Sequence, residues 1–297
     1  PLETVPIDLL EYYEKLTPPS YRCFLHRQNP INSTNIEYYA IGATYFGEPI
    51  GLLLAIFLPI SQLAEIYSLY VIPEHRHHQM GTKLLAELEK ELLKEKCLLV
   101  SMSYPSDIPT SKTFENILSK QGWKESKPQI LRYFFEVPSF KAPWFFKSYN
   151  LPQGFEEFHW TEISAEDREC IEYKEKQQMF PPSLSPLREE AIIEPTNSLG
   201  LRHNEDIIGW MITHRLDPST IRYSSLYIHP RYQYKGYSIK LLTDAIKIQQ
   251  SYPIKWGIFD LNIAELDPRW GRFIERRLAP YAQKITEYQR SWKPLYV

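Results

Sequence analysis

Leu69-Tyr70-Val71-Ile72-Pro73 runs into a basic, polar loop and then Lys83-Leu84-Leu85; much later, Leu226-Tyr227-Ile228-His229-Pro230 runs into a similar loop and then Lys240-Leu241-Leu242. The offset is constant: 230 less 73 and 241 less 84 are both 157, and the motif aligns without a gap. A Leu-Leu pair falls into register easily by chance, but Leu-Tyr, Pro and Lys rarely do so together. Repeat periods of a few tens of residues mark solenoids, whereas 157 residues is the size of a domain, so the chain reads as a duplicated domain. The total of 297 residues agrees with two domains of roughly 150 residues each.

Working outward, each copy shows the same order of elements. In the first, Ile36 to Tyr45 and Pro49 to Pro59 are rich in Ile, Tyr, Leu and Phe around Gly47-Glu48, a hairpin signal. Leu63 to Ile72 is a third strand. Leu84, Leu85, Leu88, Leu92 and Leu93 recur at helical spacing. A strand over Cys97 to Ser103, a helix over Ser111 to Gln121 stopped by Gly122, and a closing strand over Ile130 to Val137 follow. The second copy has a helix over Ala165 to Gln178 and a hairpin, Ser198 to Arg202 and Ile207 to Arg215, around Asn204-Glu205-Asp206. A strand over Ile221 to His229, a helix over Ser238 to Gln250, a strand over Ile254 to Leu261, a helix over Pro268 to Leu278 and a closing strand over Ile285 to Trp292 complete it. The expected division is an N-terminal domain over 1–137, a linker over 138–153 and a C-terminal domain over 154–297. Phe140, Trp144, Phe145 and Phe146 in the linker predict that it packs rather than dangles.

Composition narrows the function classes. The 34 Lys and Arg nearly cancel the 36 Asp and Glu, which gives no bulk attraction to nucleic acid or an anionic membrane. Three scattered cysteines argue against a disulfide framework and fit a reducing cytoplasm. No apolar run reaches about 18 residues, and the start of the sequence lacks the basic-then-apolar order of a signal peptide. GxxxxGK[ST], GxSxG and HExxH are absent from the sequence. His75, His77 and His78 lack the Cys or carboxylate partners of a metal site, so no metal is expected.

The loops carry the chemistry. A strand, a short loop and a helix make an anion site, because first-turn amides are unpaired and the helix dipole is positive there. The first loop is Arg76-His77-His78-Gln79-Met80-Gly81, followed by Thr82; the second is Gln233-Tyr234-Lys235-Gly236-Tyr237-Ser238. These resemble the pyrophosphate loop, Q/R-x-x-G-x-G/A, of the GNAT acyltransferase superfamily. Arg76 and Gln233 match its first position, Gly236 its central glycine and Gly81 its last; Gln79 and Ser238 depart from it. Ala64 to Glu74 looks like the family's fourth strand entering its loop, and Gln121-Gly122-Trp123 like its helix end. The resemblance spans most of 30–137 and 155–292. It implies a mixed α/β (α+β) fold of two tandem domains, each a mostly antiparallel sheet flanked by helices.

It also implies a function: transfer of an acetyl or short acyl group from acetyl-CoA or another acyl-CoA to a small-molecule or peptide amine. Main-chain groups of Leu69, Tyr70, Val71 and Ile72, and of Tyr227 and Ile228, would take the pantetheine arm as an added strand takes its partner. Asn262 matches a place where the family often has an Asn contacting the cofactor. The family's base is often a Glu at the position of Glu65. Apolar neighbours there favour partial burial, although a solvent-facing strand carboxylate would have the same sequence. The counterpart in copy two is Arg222, which cannot be a base. The family's usual acid, a Tyr before the Gly-aromatic stop, is replaced by Leu118, with Tyr104 among the possible substitutes. An acyl-CoA-binding protein without catalysis is the rival expectation. An acyltransferase fold using aminoacyl-tRNA is disfavoured by the charge balance. A monomer, as an internal pseudo-dimer, or a homodimer would each fit the duplication.

Overall fold

The computed structural model describes residues 2–27, 36–264, 266 and 268–295. In chain order the elements are β1 (Leu2–Thr4), α1 (Leu10–Tyr13), α2 (Arg22–Leu25), β2 (Glu37–Tyr45), β3 (Glu48–Leu58), β4 (Leu63–Val71), α3 (Met80–Lys94), β5 (Leu99–Pro105), α4 (Ser111–Lys120) and β6 (Lys127–Glu136). They continue with β7 (Phe155–His159), α5 (Ala165–Lys176), β8 (Leu199–His203), β9 (Asp206–Asp217), β10 (Thr220–Ile228), α6 (Tyr237–Gln250), β11 (Trp256–Asn262), α7 (Pro268–Arg277) and β12 (Lys284–Pro294). The chain divides into two compact units: Pro1–Ile130 with Thr286–Val297, and Leu131–Ile285.

The first unit orders its strands β1-β2-β3-β4-β5-β12. β2, β3 and β4 form an antiparallel meander, and β5 joins β4 in parallel after the α3 crossover. The helical repeat of leucines in α3 explains the layering, since Leu84, Leu85, Leu88 and Leu92 all reach the sheet and pack with Leu53, Ala55, Ile66 and Val100. Each such side chain contributes about 1.5–3 kcal/mol on burial. The opposite face is covered by Val5, Leu10, Tyr13, Leu16 and Leu25 against Ala40, Leu52 and Leu54. Gly42 permits that cover, because a Cβ there would stand 2.5 Å from the Tyr13 hydroxyl.

The second unit orders its strands β6-β11-β10-β9-β8-β7. Leu241, Leu242, Ala245 and Ile246 of α6 pack with Leu199, Leu201 and Ile228 on one face. Phe140, Trp144 and Phe145 of the connecting segment join this core, while Phe146 stays in water at 67% exposure. The other face carries Phe158, Trp160, Ile171, Phe180, Trp210 and Tyr227.

Three features differ from expectation. The closing strands are exchanged: Tyr288–Pro294 of β12 pairs antiparallel with β5 of the first unit, and most of β6 belongs to the second. Lys293 seals the former with an ion pair to Glu89 at 2.6 Å, and Leu295 is buried in the first unit's core. The first hairpin turns on Phe46-Gly47, not Gly47-Glu48, because those two residues take the left-handed φ of 48° and 85°. Finally, β1, α1, α2 and β7 were not legible, being too short to show a period. Gly122 ends α4 as expected, with φ 79° and the Trp123 amide returning to the Leu118 carbonyl at 3.0 Å.

Candidate active site

Both fourth strands carry a bulge at the same place. Between Leu54↔Ser68 and Ala55↔Ile66 the extra residue is Tyr67; between Thr213↔Tyr223 and Ile212↔Ser225 it is Ser224, 157 residues later. Parallel pairing stops just before each bulge. β4 and β5 pair from Leu63↔Leu99 to Ile66↔Met102, and β10 and β11 from Thr220↔Trp256 to Arg222↔Ile258. Beyond those points the parallel ladder ends, so the strand carrying Leu69, Tyr70, Val71 and Ile72, or its counterpart carrying Tyr227 and Ile228, has main-chain groups that the parallel neighbour does not take.

Each strand then enters its loop in the same conformation. A short 3-10 turn (Pro73–His75, Pro230–Tyr232) precedes an extended residue, Arg76 or Gln233. The side chain of that residue turns back to the strand end: Arg76 Nε donates to the Val71 carbonyl at 2.9 Å, and Gln233 Nε2 to the Ile228 carbonyl at 2.9 Å. This explains why Arg and Gln are interchangeable here, since both supply an N–H five residues downstream of a strand carbonyl. His77 (φ 64°) and Tyr234 (φ 65°) are left-handed, as are Gln79 (φ 60°) and Gly236 (φ 87°). Gly236 adopts this freely; Gln79 does so against the steric preference of an L-residue.

Gln79 and Gly236 are the N-caps of α3 and α6, and neither helix start has a side-chain cap. The first helical bonds are Lys83 N to Gln79 O and Lys240 N to Gly236 O, so the amides of Met80, Gly81 and Thr82, and of Tyr237, Ser238 and Ile239, are not used by the helix ladder. His78 and Lys235 are exposed between the left-handed residues. Gly81 is not left-handed; a Cβ there would meet Ile117 at 3.7 Å, ordinary contact. Ser238 is therefore an unforced departure at the matching position. These uncapped amides, together with a basic surround, fit a diphosphate.

Glu65 is half-buried on β4, beside the last parallel pair. Register puts it on one row with Ile56 and Tyr38, on the face that α2 covers. There the bulge residue Tyr67 stacks on Phe24, with centroids 4.2 Å apart at 20°, and Tyr21 lies 5.8 Å from Tyr67. Phe24 also meets Tyr38 at 6.4 Å. The Tyr38 hydroxyl is buried without a hydrogen-bond partner among the described residues, and burial, then the neighbouring Cys23, pushes its pKa up. Sequence reasoning missed this aromatic wall, because Tyr21, Phe24 and Tyr38 lie outside the repeated motif.

Tyr104 sits elsewhere in character. Its ring is buried edge-on against Phe114, 4.8 Å away, and its hydroxyl donates to Ser126 Oγ at 2.6 Å. Burial pushes the phenol pKa up. Asn262 ends β11, and its Oδ1 accepts the Ala264 amide at 3.1 Å.

The second unit is built differently at the matching point. Arg222 donates to Glu189 at 2.5 Å and, through Nε, to Ser224 Oγ at 2.9 Å. His214, buried, bonds Ser224 Oγ at 2.6 Å through Nδ1 and the Arg188 carbonyl at 3.0 Å through Nε2. A carbonyl can only accept, so Nε2 carries the proton and Nδ1 accepts from Ser224. Burial, then Arg222, lowers the His214 pKa to about 4. Burial raises the Glu189 carboxyl, but Arg222 outweighs it and the net shift is down. Ser225 Oγ donates to the Leu184 carbonyl at 2.7 Å, so residues 184–194 close over this face.

The comparisons agree with this geometry. Residues 4–107 match the family model described as the acetyltransferase (GNAT) family. A solved tandem GNAT protein from the clavulanic acid biosynthesis pathway is 11% identical, with a TM-score of 0.71, over 100% of this chain and 99% of that one. A GCN5-related N-acetyltransferase from Sphaerobacter thermophilus is 14% identical, with a TM-score of 0.64, over 100% and 96%. No curated protein matches the chain. Residues 4–107 thus carry the match to the GNAT family, and the chain as a whole shares the fold of a solved tandem GNAT protein. Among the described residues no helix is long and apolar enough to cross a membrane.

Proposed function

We propose that the protein is an N-acyltransferase that moves an acetyl or short acyl group from acyl-CoA to an amine, with the first unit as the catalytic one. The observation that carries this reading is the coincidence, in one unit, of three things: an opened β4–β5 ladder, a left-handed loop into an uncapped helix, and a carboxylate at the opening. Main-chain groups of Leu69 to Ile72 and amides within Arg76–Thr82 would hold the acyl-CoA, which supplies the activated acyl group as a thioester. Glu65 takes the proton that an ammonium must lose before it can attack, directly or through one water. The wall of Tyr21, Phe24, Tyr38 and Tyr67 borders the acceptor's approach, and the Tyr38 hydroxyl offers it a hydrogen bond. Tyr104 spends its proton on Ser126, so solvent serves as the acid.

For the second unit we propose cofactor binding without transfer. Its loop has the better glycine, but Arg222 and the segment 184–194 stand where an amine would have to enter. Calorimetry of the intact chain with acetyl-CoA, followed by free-thiol release across an amine panel, tests both halves. Binding with Glu65-dependent release supports the reading. Binding without release on any amine favours an acyl-CoA sensor, and failure to bind removes the proposal.

A further inference from the structure

The first unit has a concavity on the β3 side of β4, walled by the β2–β3 turn and by side chains of the same β4 end that leads into the Arg76 loop. It is a cleft of about 540 Å³ lined by Lys15, Tyr45, Phe46, Glu48, Tyr70 and His75, a size suited to a small ligand. Its walls are aromatic and wet: Tyr45 is 53% exposed and Phe46 90%. Phe46 is also left-handed, at φ 48°, where a bulky residue is disfavoured. The matching hairpin of the second unit puts Asn204 in this conformation, at φ 55°, which is the residue type such a turn prefers. Phe46 thus incurs a backbone cost and an exposure cost together, and its ring meets Tyr45 edge-on at 4.5 Å. Tyr45 in turn lies 4.8 Å from His75. Such a residue in a cleft wall points to a ligand that covers it.

The charges narrow the ligand's class. Lys15 and Glu48 line the same cleft with opposite signs, and neither has an ion-pair partner among the described residues. We propose that this cleft binds a small aromatic zwitterion, such as a free aromatic amino acid. Its ring lies among Tyr45, Phe46 and Tyr70, its carboxylate meets Lys15 and its ammonium meets Glu48. The binding test uses no acyl-CoA, so its failure is distinguishable from failure of the transferase reading.

Titration of the intact chain with L-phenylalanine, L-tyrosine and L-tryptophan, followed by ligand-observed NMR and calorimetry, tests it. Saturable binding of at least one, with a dissociation constant of about 1 mM or tighter, is expected. Phe46→Asn should weaken it at least tenfold while keeping or raising the melting temperature, since Asn suits the turn. Lys15→Gln should weaken phenylalanine and phenylpropionate but spare phenethylamine; Glu48→Gln should weaken phenylalanine and phenethylamine but spare phenylpropionate. Absence of saturable binding by all three amino acids overturns the proposal, as does binding that none of these variants changes.

Discussion

Glu65 and Arg222 stand 157 residues apart at matching points of the two repeated strands, with opposite charge; Glu65 is one residue short of the end of its parallel ladder and Arg222 is the last residue of its own. In the first unit the face around this point is an aromatic wall that includes Tyr38, whose hydroxyl has no hydrogen-bond partner among the described residues. In the second it is a closed set of ion pairs and hydrogen bonds, Arg222–Glu189, Arg222–Ser224 and Ser224–His214, under residues 184–194. The loops show the reverse bias: the second unit has glycine where the first forces Gln79 into a left-handed conformation. Duplication has kept the backbone device in both copies and let the side-chain chemistry diverge. Backbone conformation survives many substitutions, whereas one exchange of carboxylate for guanidinium abolishes a base.

The comparison can be broken most severely at Glu65. If it is the base, Glu65→Gln lowers acyl transfer by about 10²–10⁴-fold without weakening acetyl-CoA binding; stopped-flow thiol release against calorimetry separates the two, and an unchanged rate across all pH removes the assignment. Arg222→Gln should leave transfer intact and instead cost about 2 kcal/mol or more of stability, since Glu189 loses its partner. A chemical-denaturation midpoint reads that loss.

Smaller effects sharpen the contrast between the loops. Gln79→Gly removes the left-handed strain and should stabilise the first unit by about 1 kcal/mol; Gly236→Ala should destabilise the second by a similar amount. Differential scanning calorimetry of the pair would show shifts of opposite sign. Tyr104→Phe should cost about 1 kcal/mol through the lost bond to Ser126, with little change in transfer rate. A large rate loss at unchanged stability would restore Tyr104 as the acid.

The pH response should also belong to one unit. The His214 pKa is held near 4, below the ordinary value of 6.5, so the unfolded chain binds the proton more readily. Its contribution to stability is therefore complete above pH 6.5 and is lost as the pH falls toward 4. A melting-temperature series on His214→Gln should be flatter than wild type across that window, and parallel curves would argue against it.

Sequence alone determined the duplication, most of the long elements, and the two loops, because hydrophobic period and residue spacing are local properties that survive without neighbours. It also singled out Glu65 and Arg222. It missed the aromatic wall, since Tyr21, Phe24 and Tyr38 acquire meaning only when α2 and β2 are folded onto β4. Tertiary structure alone decided which strand closes which sheet. β6 and β12 have similar strand patterns, and any sheet edge offers the same hydrogen-bonding ladder; the choice of edge lies in long-range partners such as Lys293 with Glu89 and Arg132 with Asp260, which no window of the chain contains.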